Sequence, residues 1–171
     1  MSALSRVYLL LGFCACTASA QQAWTAAPLG WAPFSEAIEQ ASQAEKKVLI
    51  DIYAPWCGWC RRMHQEVYPD AGVRQYLHEH FKLTRLDITE EEDTLQFKGY
   101  RLNSMTLAGG LGATATPTTV FLEPNGDYIT RLPGFAGTDD FLNILKFIAT
   151  DAYQTQSFEE FLNGLSPAAG Q

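Results

Sequence analysis

A chain of 171 residues, 47% of them hydrophobic, has room for one domain with a proper core. Its net charge of −7 argues against nucleic acid or an anionic membrane surface as a partner. Four cysteines, two of them in the first 20 residues and two only three apart, exclude a scaffold stapled by several long-range disulfides.

Residues 1–20 read as a cleaved secretory signal peptide. Arg6 supplies the positive charge, Val7 to Ala15 is almost wholly apolar, and Ala18-Ser19-Ala20 offers a small-x-small cleavage site. The apolar core is too short to span a bilayer, so no stable membrane insertion is expected after cleavage. Cys14 and Cys16 would leave with the peptide, and bulky Phe13 before Cys14 speaks against lipoprotein processing. Residues 21–34, rich in Trp, Pro and Gly, read as an irregular lead-in to a domain over 35–165, and 166–171 as a loose tail.

Ser35 is placed to cap a first helix with Ile38 and Ala41 on its apolar face. Val48 to Tyr53 then reads as a buried strand, apolar except for Asp51. Alternation sets Asp51 and Tyr53 on one face, and Val48, Ile50 and Ile52 on the other. Ala54-Pro55-Trp56 breaks the strand, and a helical pattern runs from Cys60 to about His80, with Pro69 and Gly72 predicting a kink or a break. Phe81 to Ile88 is strand-like. After the acidic turn at 90–93, Thr94–Phe97 and Tyr100–Leu102 suggest a small hairpin, and Asn103 or Ser104 caps a short helix that Gly109-Gly110 weakens. Glu123-Pro-Asn-Gly-Asp127 is a strong turn signal between Thr114–Leu122 and the return strand Tyr128–Leu132. Thr138 or Asp139 starts a helix with Phe141, Leu142, Leu145 and Ile148 on its apolar face, and Phe158, Phe161 and Leu162 mark a terminal one. The order predicts an α/β domain with a mixed sheet, parallel at its centre, flanked by helices and edged by a hairpin.

The chemistry centres on Trp56-Cys57-Gly58-Trp59-Cys60. Residues three apart share a helix face, so both thiols fall at the helix's first turn, within reach of each other. Unpaired N–H groups and the helix dipole there favour thiolate over thiol. Strand, Cys-x-x-Cys and helix together suggest a dithiol redox site. Half of a zinc site or an inert pair are the alternatives, although zinc would need ligands beyond these two cysteines. His64, one turn past Cys60, could raise the thiolate population if protonated, or be a surface residue of an amphipathic helix; the surface position is the expectation.

The motif resembles the active site of the thioredoxin superfamily, over roughly residues 35–150. That resemblance implies a thioredoxin fold with a short insertion, at 89–106, before a cis-proline loop. It makes Cys57 the nucleophile, Cys60 the resolving thiol and Asp51 the proton acceptor for Cys60. It further implies a cis Thr116–Pro117 bond in the loop facing the cysteines, where the backbone of Thr116 pairs with an extended substrate. Gly58 would permit the tight helix start, and Trp56 and Trp59 would shield the thiols and contact substrate. Arg61–Val67, Gly112–Leu122, Leu132–Phe135 and Ser157–Leu162 narrow the likeness. They resemble the periplasmic thioredoxin-like proteins of sulfur-oxidation systems and the C-terminal domain of the transmembrane thiol:disulfide interchange reductase.

The expected function is therefore a periplasmic reductant of disulfides in exported proteins, fed by an inner-membrane thiol donor. It is expected to be monomeric and to need no cofactor or metal. An oxidase or isomerase is the alternative, and a non-catalytic binding module a weaker one, since such a module has no reason to keep both cysteines. Trp59 stands where the oxidants of this superfamily usually carry histidine. Arg61 and Arg62, near the motif, would favour a thiolate and so an oxidant. A buried, unscreened Asp51 would oppose them, and is expected to prevail.

Overall fold

The computed structural model describes residues 29–90 and 94–165. The signal-peptide reading, most of the lead-in, acidic residues 91–93 and the tail 166–171 lie outside these described residues.

The chain builds a five-stranded sheet in the order β1-β3-β2-β6-β7 from β1 (Trp31–Ala32), β2 (Lys47–Tyr53), β3 (Phe81–Asp87), β6 (Thr118–Leu122) and β7 (Tyr128–Pro133). A separate hairpin holds β4 (Leu95–Phe97) and β5 (Tyr100–Leu102). Strands β1, β3 and β2 are parallel; β6 runs antiparallel to β2, and β7 to β6. The parallel centre and antiparallel edge agree with the sequence pattern. The lead-in does not remain irregular: Trp31 and Ala32 pair with Leu83 and Thr84. Two residues are too few to show the alternation by which a strand is read.

Helices cover both faces. On one, Val48, Ile50, Ile52, Val120 and Leu122 pack against α1 (Phe34–Ala44) and α4 (Ser104–Gly110). On the other, Leu49, Leu83 and Phe121 pack against α3 (Ala71–His80) and α5 (Thr138–Ala149), through Val73, Leu77, Phe141 and Leu145. Strand β2 is buried on both sides, which accounts for its nearly continuous apolar run.

Helix starts differ from expectation where backbone chemistry outweighs side-chain caps. Pro33, not Ser35, is the N-cap of α1; its ring holds φ at −52° and it makes no side-chain cap. Gly137 plays that part for α5, ahead of Thr138. Asn103 does cap α4, its Oδ1 accepting from the Thr106 N–H at 2.8 Å. The long helical pattern after the cysteines is broken, as Pro69 and Gly72 predict. Helix α2 (Gly58–Arg62) passes into a π-helical turn (Met63–Val67), and α3 starts afresh behind Asp70, whose Oδ1 accepts from Gly72 and Val73 N–H. Helix α6 (Phe158–Leu165) closes on α5 through Phe147, Phe158 and Phe161.

Candidate active site

The site sits where β2 ends. Tyr53 and Ala54 leave the sheet, the Cys57 N–H donates to the Ala54 carbonyl at 3.0 Å, and α2 begins one residue later. Cys57 and Cys60 are joined as a disulfide, with Cα atoms 5.3 Å apart. Cys57 is the N-cap of α2, and its Sγ accepts from the Cys60 N–H at 3.1 Å. A sulfur in that place faces the unpaired amides of the first turn, which stabilise negative charge on it. Cys57 is 5% exposed and Cys60 1%. Ala54, Tyr53 and Ile88 pack around them.

The residues between and before the cysteines point outward. Trp56 is 70% exposed and Trp59 54%. Trp59, which lies between the two cysteines in the chain, joins Thr116, Pro117, Gly134 and Phe135 around a groove of about 310 Å³. The Thr116–Pro117 bond is cis, and the Gly134 N–H donates to the Pro117 carbonyl at 2.8 Å, tying the end of β7 to this loop. Trp56 and Gly58 are not part of the groove's lining. Nor is Gly58 required by the backbone: its φ is not positive, and an added Cβ would meet only the Arg61 guanidinium at 3.8 Å, an ordinary contact. Helix entry is governed here by Cys57 as N-cap.

Asp51 is fully buried, as its place in an apolar strand suggested, but it is not alone. In the β2–β3 register Asp51 stands opposite Arg85, and on its other side opposite Thr119 of β6. Asp51 Oδ2 lies 3.3 Å from Arg85 Nε and 2.6 Å from His64 Nε2. Arg85 is itself held under the Trp31 ring at 4.1 Å. His64, set on the π-helical turn, packs edge-on to Tyr53 and tilted to Tyr68, with ring centres at 5.6 and 5.7 Å. Burial, with the Asp51 charge beside it, pushes the Tyr68 phenol well above its ordinary pKa.

His64 is therefore half-buried against Asp51 rather than free on the surface. A signal was present: it lies four residues after Cys60 and three before Val67, both buried, and such positions share a helix side. Arg85 left none, because it reaches Asp51 through pairing between strands 34 residues apart.

The two arginines after the motif are also differently engaged than the sequence suggested. Arg61 Nη1 donates to the Pro55 carbonyl at 3.1 Å. Arg62 forms a two-pronged pair with Glu66 at 3.0 and 2.8 Å and stacks over Trp59 and Phe135. Arg62 thus belongs to the groove's rim, and Glu66 offsets its charge. The opposing premise, an unscreened Asp51, is corrected in the same way by Arg85 and His64.

The matched region defines the class: residues 34–149 fit the thioredoxin-like domain, and the chain belongs to that family. It carries the family's mixed sheet flanked by helices and a disulfide-forming cysteine pair consistent with redox activity. Over 105 residues it is 33% identical to protein disulfide-isomerase of Oryctolagus cuniculus, covering 60% of this chain and 18% of that protein. Over 133 residues it is 28% identical to the thiol:disulfide interchange protein DsbD of Tatumella citrea, covering 76% of this chain and 21% of that protein. It is also 24% identical over 108 residues to the disulfide bond reductase DsbH of Chlamydia pneumoniae, covering 63% of this chain and 64% of that protein. The chain thus spans about a fifth of the first two relatives and just under two thirds of the third. Among the described residues, no helix is long and apolar enough to cross a membrane, and no three His, Cys, Asp or Glu side chains are grouped to hold a metal ion.

Proposed function

We propose that this chain is a periplasmic thiol–disulfide oxidoreductase working mainly as a dithiol reductant of disulfides in exported proteins. The observation that carries it is the Cys57–Cys60 disulfide at the start of α2, flanked by a groove in which Trp59, Phe135 and the cis Thr116–Pro117 loop meet. In the reduced form Cys57 thiolate attacks a substrate disulfide; one substrate sulfur leaves as thiolate and takes up a proton. Cys60 then attacks the Cys57 sulfur, losing its own proton to Asp51, and the second substrate sulfur departs. Two electrons pass from the dithiol to the substrate, and an inner-membrane thiol donor restores the pair. The Thr116 backbone holds the substrate segment extended, while Trp59 and Trp56 offer apolar contact. The signal-like residues 1–20 support the compartment, as does the likeness to the thiol:disulfide interchange protein DsbD and the disulfide bond reductase DsbH. The chain acts as a monomer.

The assignment of roles is tested by Cys60→Ala. Attack proceeds but resolution cannot, so cells expressing the variant are expected to accumulate mixed disulfides through Cys57, visible on non-reducing gels and lost on reduction. Adducts formed equally well by Cys57→Ala would overturn it.

Direction is read from the redox potential. Arg61 and Arg62 are occupied elsewhere, so the helix amides remain as the main support of a Cys57 thiolate. A weakly stabilised thiolate makes a reductant. Equilibration with glutathione is expected to give a value nearer about −270 mV than about −120 mV. The likeness to protein disulfide-isomerase favours a second reading, isomerisation or oxidation, which a potential above about −180 mV would make the better account.

A further inference from the structure

A fully buried carboxylate that accepts a proton must also lose it, and Asp51 has no surface of its own through which to do so. Four groups with titratable or charged side chains are set around Asp51. Arg85 comes from β3, Tyr68 from the end of the π-helical turn, Tyr53 from β2, and His64 from the turn itself. From β6 the facing residue is Thr119, which is uncharged. A guanidinium does not give up its proton in a protein, so Arg85 fixes charge but cannot carry a proton onward. Tyr68 is as buried as Asp51, and both phenols are held above their ordinary range, further from neutrality. His64 combines what the others lack. It makes a 2.6 Å hydrogen bond to Asp51 Oδ2, its side chain is 23% exposed, and its second ring nitrogen can release a proton taken up at the first.

We propose that His64 is a positioning residue that links Asp51 to solvent. It holds the carboxylate through Nε2, receives the proton that Cys60 releases to Asp51, and passes it to water. This rests on the dithiol-reductant reading of the cysteine pair. In the resolving step the Cys60 S–H bond breaks as the Cys57–Cys60 bond forms and the bond from Cys57 to substrate sulfur breaks. The proton travels from Cys60 to Asp51, to His64, to solvent. The departing substrate thiolate is protonated from solvent, and no electrons beyond the dithiol pair are needed. The π-helical turn has a part in this, since its Met63 carbonyl accepts from the Tyr68 N–H at 2.9 Å, five residues on. That wider turn carries His64 and Tyr68 to the same carboxylate.

The test is rapid mixing of the reduced protein with an aryl disulfide whose two thiolate halves both absorb visible light. The first half is released on Cys57 attack, the second on resolution by Cys60. His64→Gln keeps an amide N–H for Asp51 but cannot titrate. It is expected to leave the first phase unchanged and to slow the second about tenfold between about pH 6 and 8, less than the about hundredfold or more of a lost general base, because Asp51 itself remains. In His64→Ala the second phase is equally slow, and added imidazole restores it. A second phase that superimposes on wild type across pH in His64→Gln overturns the proposal. So does a slow His64→Ala phase that imidazole leaves untouched, with an unfolding midpoint as low as the rate, since that is a structural role.

If the wild-type protein gives no first phase, or one that survives Cys57→Ser, the dithiol-reductant reading fails instead. The link is then read in Cys57→Ser from the ultraviolet absorbance of the Cys60 thiolate against pH. An inflection that His64→Gln removes supports the coupling, and identical curves overturn it.

Discussion

Asp51→Asn is expected to slow reduction of a model disulfide about a hundredfold at neutral pH, the size of effect usual for loss of a placed general base, while the fold stays intact. The volume is conserved, so the packing of β2 between its neighbours is unchanged. The two carboxylate oxygens of Asp51 differ. Oδ2 is engaged by His64 and lies near Arg85, whereas Oδ1 is buried with no hydrogen-bond partner among the described residues. A buried oxygen without a partner costs stability, and an uncommitted lone pair is what a proton acceptor requires. An amide in its place accepts no proton at neutral pH. The measurement is rate against pH, with thermal melting to confirm folding; a pH–rate profile identical to wild type would place Asp51 outside the mechanism.

Arg85→Met is expected to cost about 2–3 kcal/mol of folding stability, because it leaves the Asp51 carboxylate buried with one of its two partners removed. The figure lies below the range of about 3–5 kcal/mol for broken fully buried pairs. Arg85's side chain is 31% exposed and His64 remains in contact, so some of the charge is still answered. Methionine keeps an apolar stem under the Trp31 ring, which separates the charge effect from lost packing. In the double variant Asp51→Asn/Arg85→Met most of the loss should return, since no buried charge is then left alone. Urea unfolding of the four proteins closes the cycle. An Arg85→Met change smaller than about 0.5 kcal/mol, the usual spread for uncoupled surface sites, would mean that the pair contributes little.

These two predictions rest on contacts of unequal legibility in the sequence. Asp51 could be placed on the correct face of a central strand because alternation in β2 is local, and because an acid interrupts an apolar run. Cys57 and Cys60 were legible for the same reason: three residues at a strand-to-helix junction put them on one turn. Arg85 was not, because its position follows from the register of β2 against β3, and nothing within either segment states it. His64 lay between the two cases. Its spacing from Cys60 and Val67 pointed inward, but its polarity outweighed that in a pattern read by hydrophobicity alone. Arg61 and Arg62 show the converse error. Nearness in sequence suggested a charge on the sulfurs, while the carbonyl of Pro55 and the carboxylate of Glu66 are closer to hand. At the fold level, the hairpin turn at 123–127 and the break after Val67 carry strong local signals, whereas the two-residue β1 does not.

The alternation of burial through the cysteine motif has an evolutionary consequence. Cys57 and Cys60 are anchored inside, while the two residues between them face solvent, and neither backbone strain nor crowding holds Gly58 in place. The two positions are not equivalent: Gly58 is free to change, whereas a change at Trp59 acts on the groove and on its stack with Arg62 and Phe135. Selection can thus remodel what the site meets at its surface without first renegotiating the core that folds beneath it.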